Sequence, residues 1–230
     1  MSKDDWWAKP RAISIVVDNP SWIIPYAEAL VERLAGRGDN ARLCRSYDDV
    51  SQGDIAFFLG CVGIASAEIL ALNRYNLVVH ESDLPEGRGF APVAWQILDG
   101  RKEIPVCLVE AAEEVDAGLV YLRSMMKFEG HELSDEIRDR QGRATEEVCL
   151  AFVEADEPPV GEPQQGEGSF FPRRRPRDSE LDPAKTLLEQ FELLRVVDNA
   201  RYPAFFDHRG HRYRIRIDNL GPITNPESSE

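Results

Sequence analysis

Residues 12–18 read AISIVVD, a β-branched apolar run that ends in Asp18-Asn19-Pro20. Such a run fits a buried strand closed by a turn. The next twenty residues constrain the fold further. Pro25 suits a first helical turn, and Tyr26, Leu30 and Leu34 recur at four-residue spacing, with Ala27 and Val31 beside them. Glu32 and Arg33 fall on the polar side, and Gly36 and Gly38 stop the helix. The pattern then repeats. Residues 54–60 (DIAFFLG), 77–80 and 104–110 (IPVCLVE) read as strands, and 119–128 as a fifth extended stretch. Residues 65–73 and 92–98 read as helices, and Leu133, Ile137, Ala144, Val148 and Phe152 mark a long one. Strands alternating with helices predict an α/β fold: a parallel-type sheet with helices on both faces. Ligands bind such sheets beyond the carboxyl ends of the strands, and His80 stands at one of those ends.

Beyond this unit, 156–169 (DEPPVGEPQQGEGS) is rich in Pro, Gly, Glu and Gln and reads as a linker or surface loop. The spacing predicts an amphipathic helix that opens at Asp182-Pro183 and carries Leu187, Leu188, Phe191, Leu194 and Val197. After it comes a β-hairpin turning at Arg209-Gly210. The expected organisation is a catalytic domain at 1–155, the linker at 156–169, a C-terminal extension at 170–218 and a flexible tail at 219–230. The hairpin could mediate a homodimer or pack on its own domain.

The formal net charge of the 230-residue chain is -14, which argues against a nucleic-acid or membrane-surface partner. The charge is uneven. Residues 111–170 hold 15 acids and 5 bases, while 171–217 hold 11 bases and 7 acids. A local basic cluster suggests a small anionic ligand, or else a solvated arginine face. The four cysteines, Cys44, Cys61, Cys107 and Cys149, have neither disulfide nor metal spacing. With no signal-peptide pattern and no long apolar run, they predict a reduced, cytoplasmic protein without a metal site.

The turn after the first strand, DNPSWIIP, has no glycine, which disfavours a dinucleotide site, and neither a Walker pattern nor a GxSxG elbow occurs. The strongest pairing is His80 with Asp116, which lies in EEVDAGLVY between the fourth and fifth strands. A histidine beside a carboxylate suits proton transfer to or from an amine. The same residues could instead cap a strand and a turn.

HESDLPEGRGFAPVAWQILDG followed by EEVDAGLVY resembles the formyltransferases that use N10-formyltetrahydrofolate. The resemblance rests on His80, Ser82, Leu84, Pro85, Arg88, Gly89, Pro92, Trp95, Ile97 and Gly100, then Asp116 and Gly118. FFPRRRPRDSELD with LLRVVDNARYPAFF is similar to the nucleotide-sugar N-formyltransferases. DNPSWIIPYAE resembles the branch that acts on pseudaminic-acid- or perosamine-type amino sugars. One position departs from the pattern. The family carries asparagine two residues before the histidine, where this chain has Val78.

The resemblance implies a Rossmann-like sheet and an N-formyltransferase. It would move a formyl group from N10-formyltetrahydrofolate to the amine of a nucleotide-linked amino sugar, for cell-surface glycan or lipopolysaccharide biosynthesis. His80 and Asp116 would be catalytic. Phe58, Gly60, Cys61, Gly63, Arg88, Gly89, Pro92, Glu110 and Val115 would contact the folate, although Phe58 could equally be core. Arg173, Arg174 and Arg175 would pair with the pyrophosphate, or form a salt-bridged loop. Tyr202 and Phe205 would stack on the base, and Asn19, Trp22 and Ser82 would line the acceptor pocket, with Trp22 also suited to the core. Two alternatives stay open: formylation of methionyl-tRNA or a purine precursor, and a non-catalytic homologue that binds folate or nucleotide-sugar.

Overall fold

The computed structural model describes residues 10–112 and 114–223. Its strands are β1 (Ala12–Val16), β2 (Asn40–Cys44), β3 (Gly53–Phe58), β4 (Asn73–His80), β5 (Arg88–Gly89), β6 (Glu103–Glu110), β7 (Val120–Lys127), β8 (Phe170–Phe171), β9 (Ala204–His208) and β10 (His211–Ile215). Its helices are α1 (Ile24–Gly36), α2 (Ala67–Leu70), α3 (Pro92–Leu98), α4 (Ser134–Glu154) and α5 (Phe191–Val196).

The apolar runs become the central sheet, in the order β2-β1-β3-β4-β6-β7. The first four strands are parallel, but β6 runs antiparallel to β4, and β7 antiparallel to β6. The expected parallel sheet is therefore a mixed one. A hairpin needs no crossover helix, and none lies between β6 and β7. Strand β2 is a second departure. It is an edge strand whose residues alternate between exposed and half-buried, so it lacks the apolar run that marks the others.

Alternation along β4 divides its side chains between two unequal layers. Leu77 and Val79 join Ile15, Phe57, Val106 and Leu108 in the main core, beneath α1, α3 and α4. The other face carries Val16, Ala56, Phe58 and Val78 and is covered by Tyr47, α2 and Ala111. His80 shares this thinly covered face with Val78.

The helix expected from Asp182 is shorter than its sequence suggests. Gln190 Oε1 accepts from Asp182 N (2.6 Å), and Gln190 Nε2 donates to Asp182 O (3.1 Å). This side chain takes the place of helical backbone bonds. Only α5 forms, and Leu187 and Leu188 stay exposed. The hairpin forms as expected, with Arg209 and Gly210 both at positive φ. Of the expected tail, 219–223 are exposed, and 224–230 lie outside the described residues.

A buried ion pair joins the sheet unit to the C-terminal extension. Arg195 in α5 is 1% exposed; its Nε donates to Glu132 O (3.0 Å), and its Nη2 lies 3.3 Å from Glu132 Oε2. Burial works against ionisation of Glu132, but the N–H groups of Glu129 and Gly130 outweigh it and hold the carboxyl at about 2, against an ordinary 4.5. A folded value below the unfolded one gives stability that is present above pH 4.5 and lost as the pH falls toward about 2. Glu132→Gln is therefore expected to cost about 3 kcal/mol at pH 7. Urea unfolding should show the difference from wild type shrinking steadily below pH 4.5.

Candidate active site

His80 closes β4 with its ring buried. Nε2 lies 2.8 Å from the carbonyl oxygen of Gly87, and Nδ1 lies 3.5 Å from Asp116 Oδ2. Both neighbours can only accept hydrogen bonds. The Gly87 carbonyl takes an N–H from Nε2, and the Asp116 carboxylate stands beside Nδ1.

Asp116 reaches His80 by an indirect path. The β4–β6 register sets Cys107 opposite His80 and Glu110 opposite Leu77, so the chain has run past His80 before it leaves β6. Ala111 N donates to Asn76 O (2.8 Å), and Asp116 nevertheless lies back beside His80. Asp116 lies at φ 56°, and Gly118 packs so tightly that a Cβ there would sit 2.2 Å from Glu110 O. Asp116 Oδ2 also accepts from Gly89 N (2.9 Å). Gly89 has φ 101°, and a Cβ there would come within 2.5 Å of Phe171 O, so only glycine suits this crossing.

The stretch 156–169 lies on the surface and is bonded into this arrangement. Gln164 Nε2 donates to Asp116 O (2.7 Å) and Gly118 O (2.9 Å), while Gln164 Oε1 accepts from Arg88 Nη2 (2.9 Å). Arg88 Nη1 donates to Glu114 (2.9 Å), so both of its terminal nitrogens brace protein loops. Ser169 Oγ accepts from Gly87 N (2.8 Å), next to the carbonyl that faces His80. Nothing in the sequence singles out Gln164, which sits in a low-complexity run.

Of the residues expected at the folate, Phe58 is core: it is 3% exposed and packs beside Tyr47. Gly60 and Gly63 are exposed on the next loop, and Cys61 is half-buried, its thiol pushed up to about 11 by burial. Asp18 pins this loop by accepting from Val62 N (3.0 Å) and Gly63 N (2.8 Å). Burial opposes ionisation of Asp18, but these bonds and one from Asn19 hold its carboxyl below the ordinary range. Asn19 also donates to Gly60 O (2.9 Å), so it braces the loop instead of lining a pocket. Val62, Ile64 and Val115 expose apolar side chains on the two loops the resemblance assigns to the pterin. Exposed apolar faces of this kind fit a flat ring. Glu110 is half-buried where its strand turns into the second of these loops.

A cavity of about 510 Å³ opens beside the 90–94 segment. Trp22, Pro92, Arg173, Arg174, Arg175 and Tyr202 line it, as do Phe90, Arg138, Gln141 and Arg201. The structure thus gathers the expected arginines, adds two more, and balances five guanidinium groups with one carboxylate, Asp198. Arg174 is largely structural: it donates to Val196 O (3.1 Å) and Asp178 O (3.0 Å), and burial lowers its pKa. Arg173 lies over the Phe90 ring at 4.7 Å, and neither it nor Arg175 makes an ion pair among the described residues. Phe205 departs from the expectation. It is 8% exposed beneath Arg212, 4.0 Å from its ring, and lies away from the cavity. Ser82 is 2% exposed beneath Gly87, and its hydroxyl has no partner among the described residues. Arg138, Gln141 and Arg201 carry no mark in the sequence, where they read as ordinary helix-surface and turn residues.

Gln164→Ala removes two donors from the Asp116 loop, a loss of about 1–3 kcal/mol. Hydrogen exchange across 111–119 should accelerate about tenfold or more, while β1 and β3 exchange as in wild type.

No family model matches the chain. It is 28% identical over 169 residues to the methionyl-tRNA formyltransferase of Symbiobacterium thermophilum, covering 71% of this chain and 51% of that one. It is 26% identical over 132 residues to the enzyme of the same name from Malacoplasma penetrans, covering 55% and 41%. The chain thus spans about half the length of these curated relatives or less. Among solved structures it superposes on a methionyl-tRNA formyltransferase from Clostridium thermocellum with TM-score 0.75 and 22% identity, covering 93% of this chain and 97% of that one. A sugar N-formyltransferase from a Shewanella species gives 0.68 and 13%, covering 93% and 99%. HypX from Aquifex aeolicus in complex with tetrahydrofolic acid gives 0.67 and 16%, covering 89% and 37%. These superpositions give the chain the formyltransferase fold.

Proposed function

We propose that the protein is an N-formyltransferase that carries a formyl group from N10-formyltetrahydrofolate to the amine of a nucleotide-linked amino sugar. The observation that carries this reading is the guanidinium-rich cavity lined by Phe90, the residue after the Gly89 whose amide donates to Asp116. Guanidinium matches phosphate oxygens in a bidentate way, and the volume suits a small ligand better than a long polyanion. Arg173 and Arg175 would hold the pyrophosphate and Tyr202 would flank the base. The apolar loops with Val62, Ile64 and Val115 would hold the folate, which supplies the formyl group when bound.

The chemistry balances without metal or covalent enzyme intermediate. The amine nitrogen bonds to the formyl carbon, the bond from that carbon to N10 breaks, and the proton lost by the amine is matched by one gained at N10. His80, oriented by Asp116, can turn its Nε2–H from the Gly87 carbonyl to the oxygen that gains charge in the tetrahedral intermediate. Asp116 orients the ring from its Nδ1 side.

A second reading, methionyl-tRNA as acceptor, is favoured by the names of the sequence relatives. The chain's net charge of -14 and the gathering of five arginines in one small cavity weigh against a tRNA backbone.

The test is incubation with N10-formyltetrahydrofolate and a panel of nucleotide-linked amino sugars, with initiator methionyl-tRNA as a separate arm. A sugar product heavier by the mass of CO is expected. Formylation of the tRNA alone would replace this reading with the second, and no transfer in either arm would end both. His80→Ala should lower turnover by at least about 10³-fold while leaving the melting temperature within a few degrees of wild type. Val78→Asn restores an amide beside His80, and turnover is expected to rise about tenfold or more, at some cost in stability.

A further inference from the structure

Helix α4 presents Ser134, Ile137, Arg138 and Gln141 to the cavity, at the three- and four-residue spacing of one helix face. Gln141 supplies the one side-chain amide among the described residues that line it. That amide has a fixed direction. Its Nε2 donates to Glu81 Oε1 at 2.6 Å. Burial pushes the Glu81 carboxyl up, with His80 and this bond from Gln141 working the other way, and as the bond runs the carbonyl oxygen Oε1 of Gln141 faces away from Glu81. Oε1 takes no hydrogen bond among the described residues. Glu81 is itself held, because Gln96 Nε2 donates to its backbone carbonyl at 2.6 Å. As the residue after His80, it ties the reactive edge to the cavity wall.

The cavity's other charged groups make such a carbonyl useful. Guanidinium groups only donate, so they can grip an anion but cannot receive the N–H of an amine. The single carboxylate, Asp198, is already taken: it accepts from Arg138 Nη2 (3.0 Å), Ala200 N (2.8 Å) and Arg201 N (2.9 Å). A neutral acceptor also favours the neutral, nucleophilic amine, where a free carboxylate would favour the ammonium form.

We propose that Gln141 is a specificity-determining residue whose side-chain carbonyl, aimed into the cavity by Glu81, receives an N–H of the acceptor amine. This rests on the formyl-transfer reading and names the group that orients the nucleophile. Glu81 acts through Gln141 and is a positioning residue.

Steady-state kinetics on the intact protein test this, with N10-formyltetrahydrofolate as donor and the best amino-sugar nucleotide of the wild-type panel as acceptor. Gln141→Met keeps the length of the side chain and removes its polar atoms. It is expected to raise the acceptor KM about tenfold and leave the donor KM unchanged. Glu81→Gln frees the amide to flip and should raise the acceptor KM in the same direction. The double variant Glu81→Gln/Gln141→Met should be no worse than Gln141→Met alone, because Glu81 has nothing left to aim. A merely structural role for Glu81 would make the two effects additive. Gln141→Asn, too short to reach both partners, replaces Gln141→Met if that variant does not fold. Unchanged acceptor KM, or additive effects, would overturn this inference alone. Absence of transfer by the wild type would overturn it together with the reading beneath it.

Discussion

The carboxylate of Asp116 is the contact on which the reactive edge depends. One oxygen, Oδ2, takes the amide of Gly89 and faces Nδ1 of His80, joining three segments that are distant in sequence. The strand register makes this costly. Because β6 is antiparallel and ends level with Leu77, the loop after it starts in the wrong place and must fold back over the sheet. The positive φ of Asp116 and the close packing of Gly118 are the local consequences. Such backbone persists only when its surroundings over-determine it, and here Gln164 and Arg88 do so from outside.

The cavity depends on a second constraint of the same kind. One wall is α4 and the other is the extension around Val196, Asp198 and Tyr202. The pair Glu132–Arg195 joins the residue just before Leu133 and α4 to the helix just before that extension. A second ion pair, Arg138 with Asp198, crosses between the walls. Neutralising Asp198 in this way leaves the rest of the cavity positive within a strongly acidic chain. A concave site of one sign focuses its field on the entrance, so the contrast favours capture of a small anion over adhesion to an extended one.

How much of this is legible in the sequence depends on whether a residue's role leaves a pattern. The buried strands announce themselves because both their faces are apolar, as do α1 and the core stripe of α4. His80 and Asp116 can be paired from the sequence as loops at one edge of a parallel sheet, but β6 runs antiparallel, and they meet only because the loop after it folds back. Strand β2 leaves no pattern, since an edge strand with exposed Asn40 and Arg42 reads as loop. The direction of β6 has no sequence period at all. Gln164 is hidden because a side chain that braces backbone carbonyls needs no neighbours of a particular type. Arg138 and Gln141 look like the solvent face of a helix, and only the tertiary fold turns that face toward a cavity. Phe205 misleads for the opposite reason: an aromatic next to a basic run suggests stacking on a ligand, and it stacks under the protein's own Arg212.

The position before the histidine shows what the site must do without. Val78 packs against Leu84, Val109 and Val120 on one side and Phe58 and Ala111 on the other, so the floor beneath His80 is apolar. The nearest asparagine on the strand, Asn76, gives its amide to Leu70 O (2.8 Å) and Asn73 O (3.2 Å), at the far end of β4. The amide of Gly89 is spent on Asp116. Ser82 keeps a free hydroxyl, but it is buried under Gly87. In the proposed reaction the developing charge on the oxygen is therefore met mainly by the Nε2–H of His80. An apolar floor lowers the local dielectric and strengthens that single interaction, while raising the penalty for any charge left unpaired. The chain thus gives up a second donor and relies more heavily on the one carboxylate that orients its histidine.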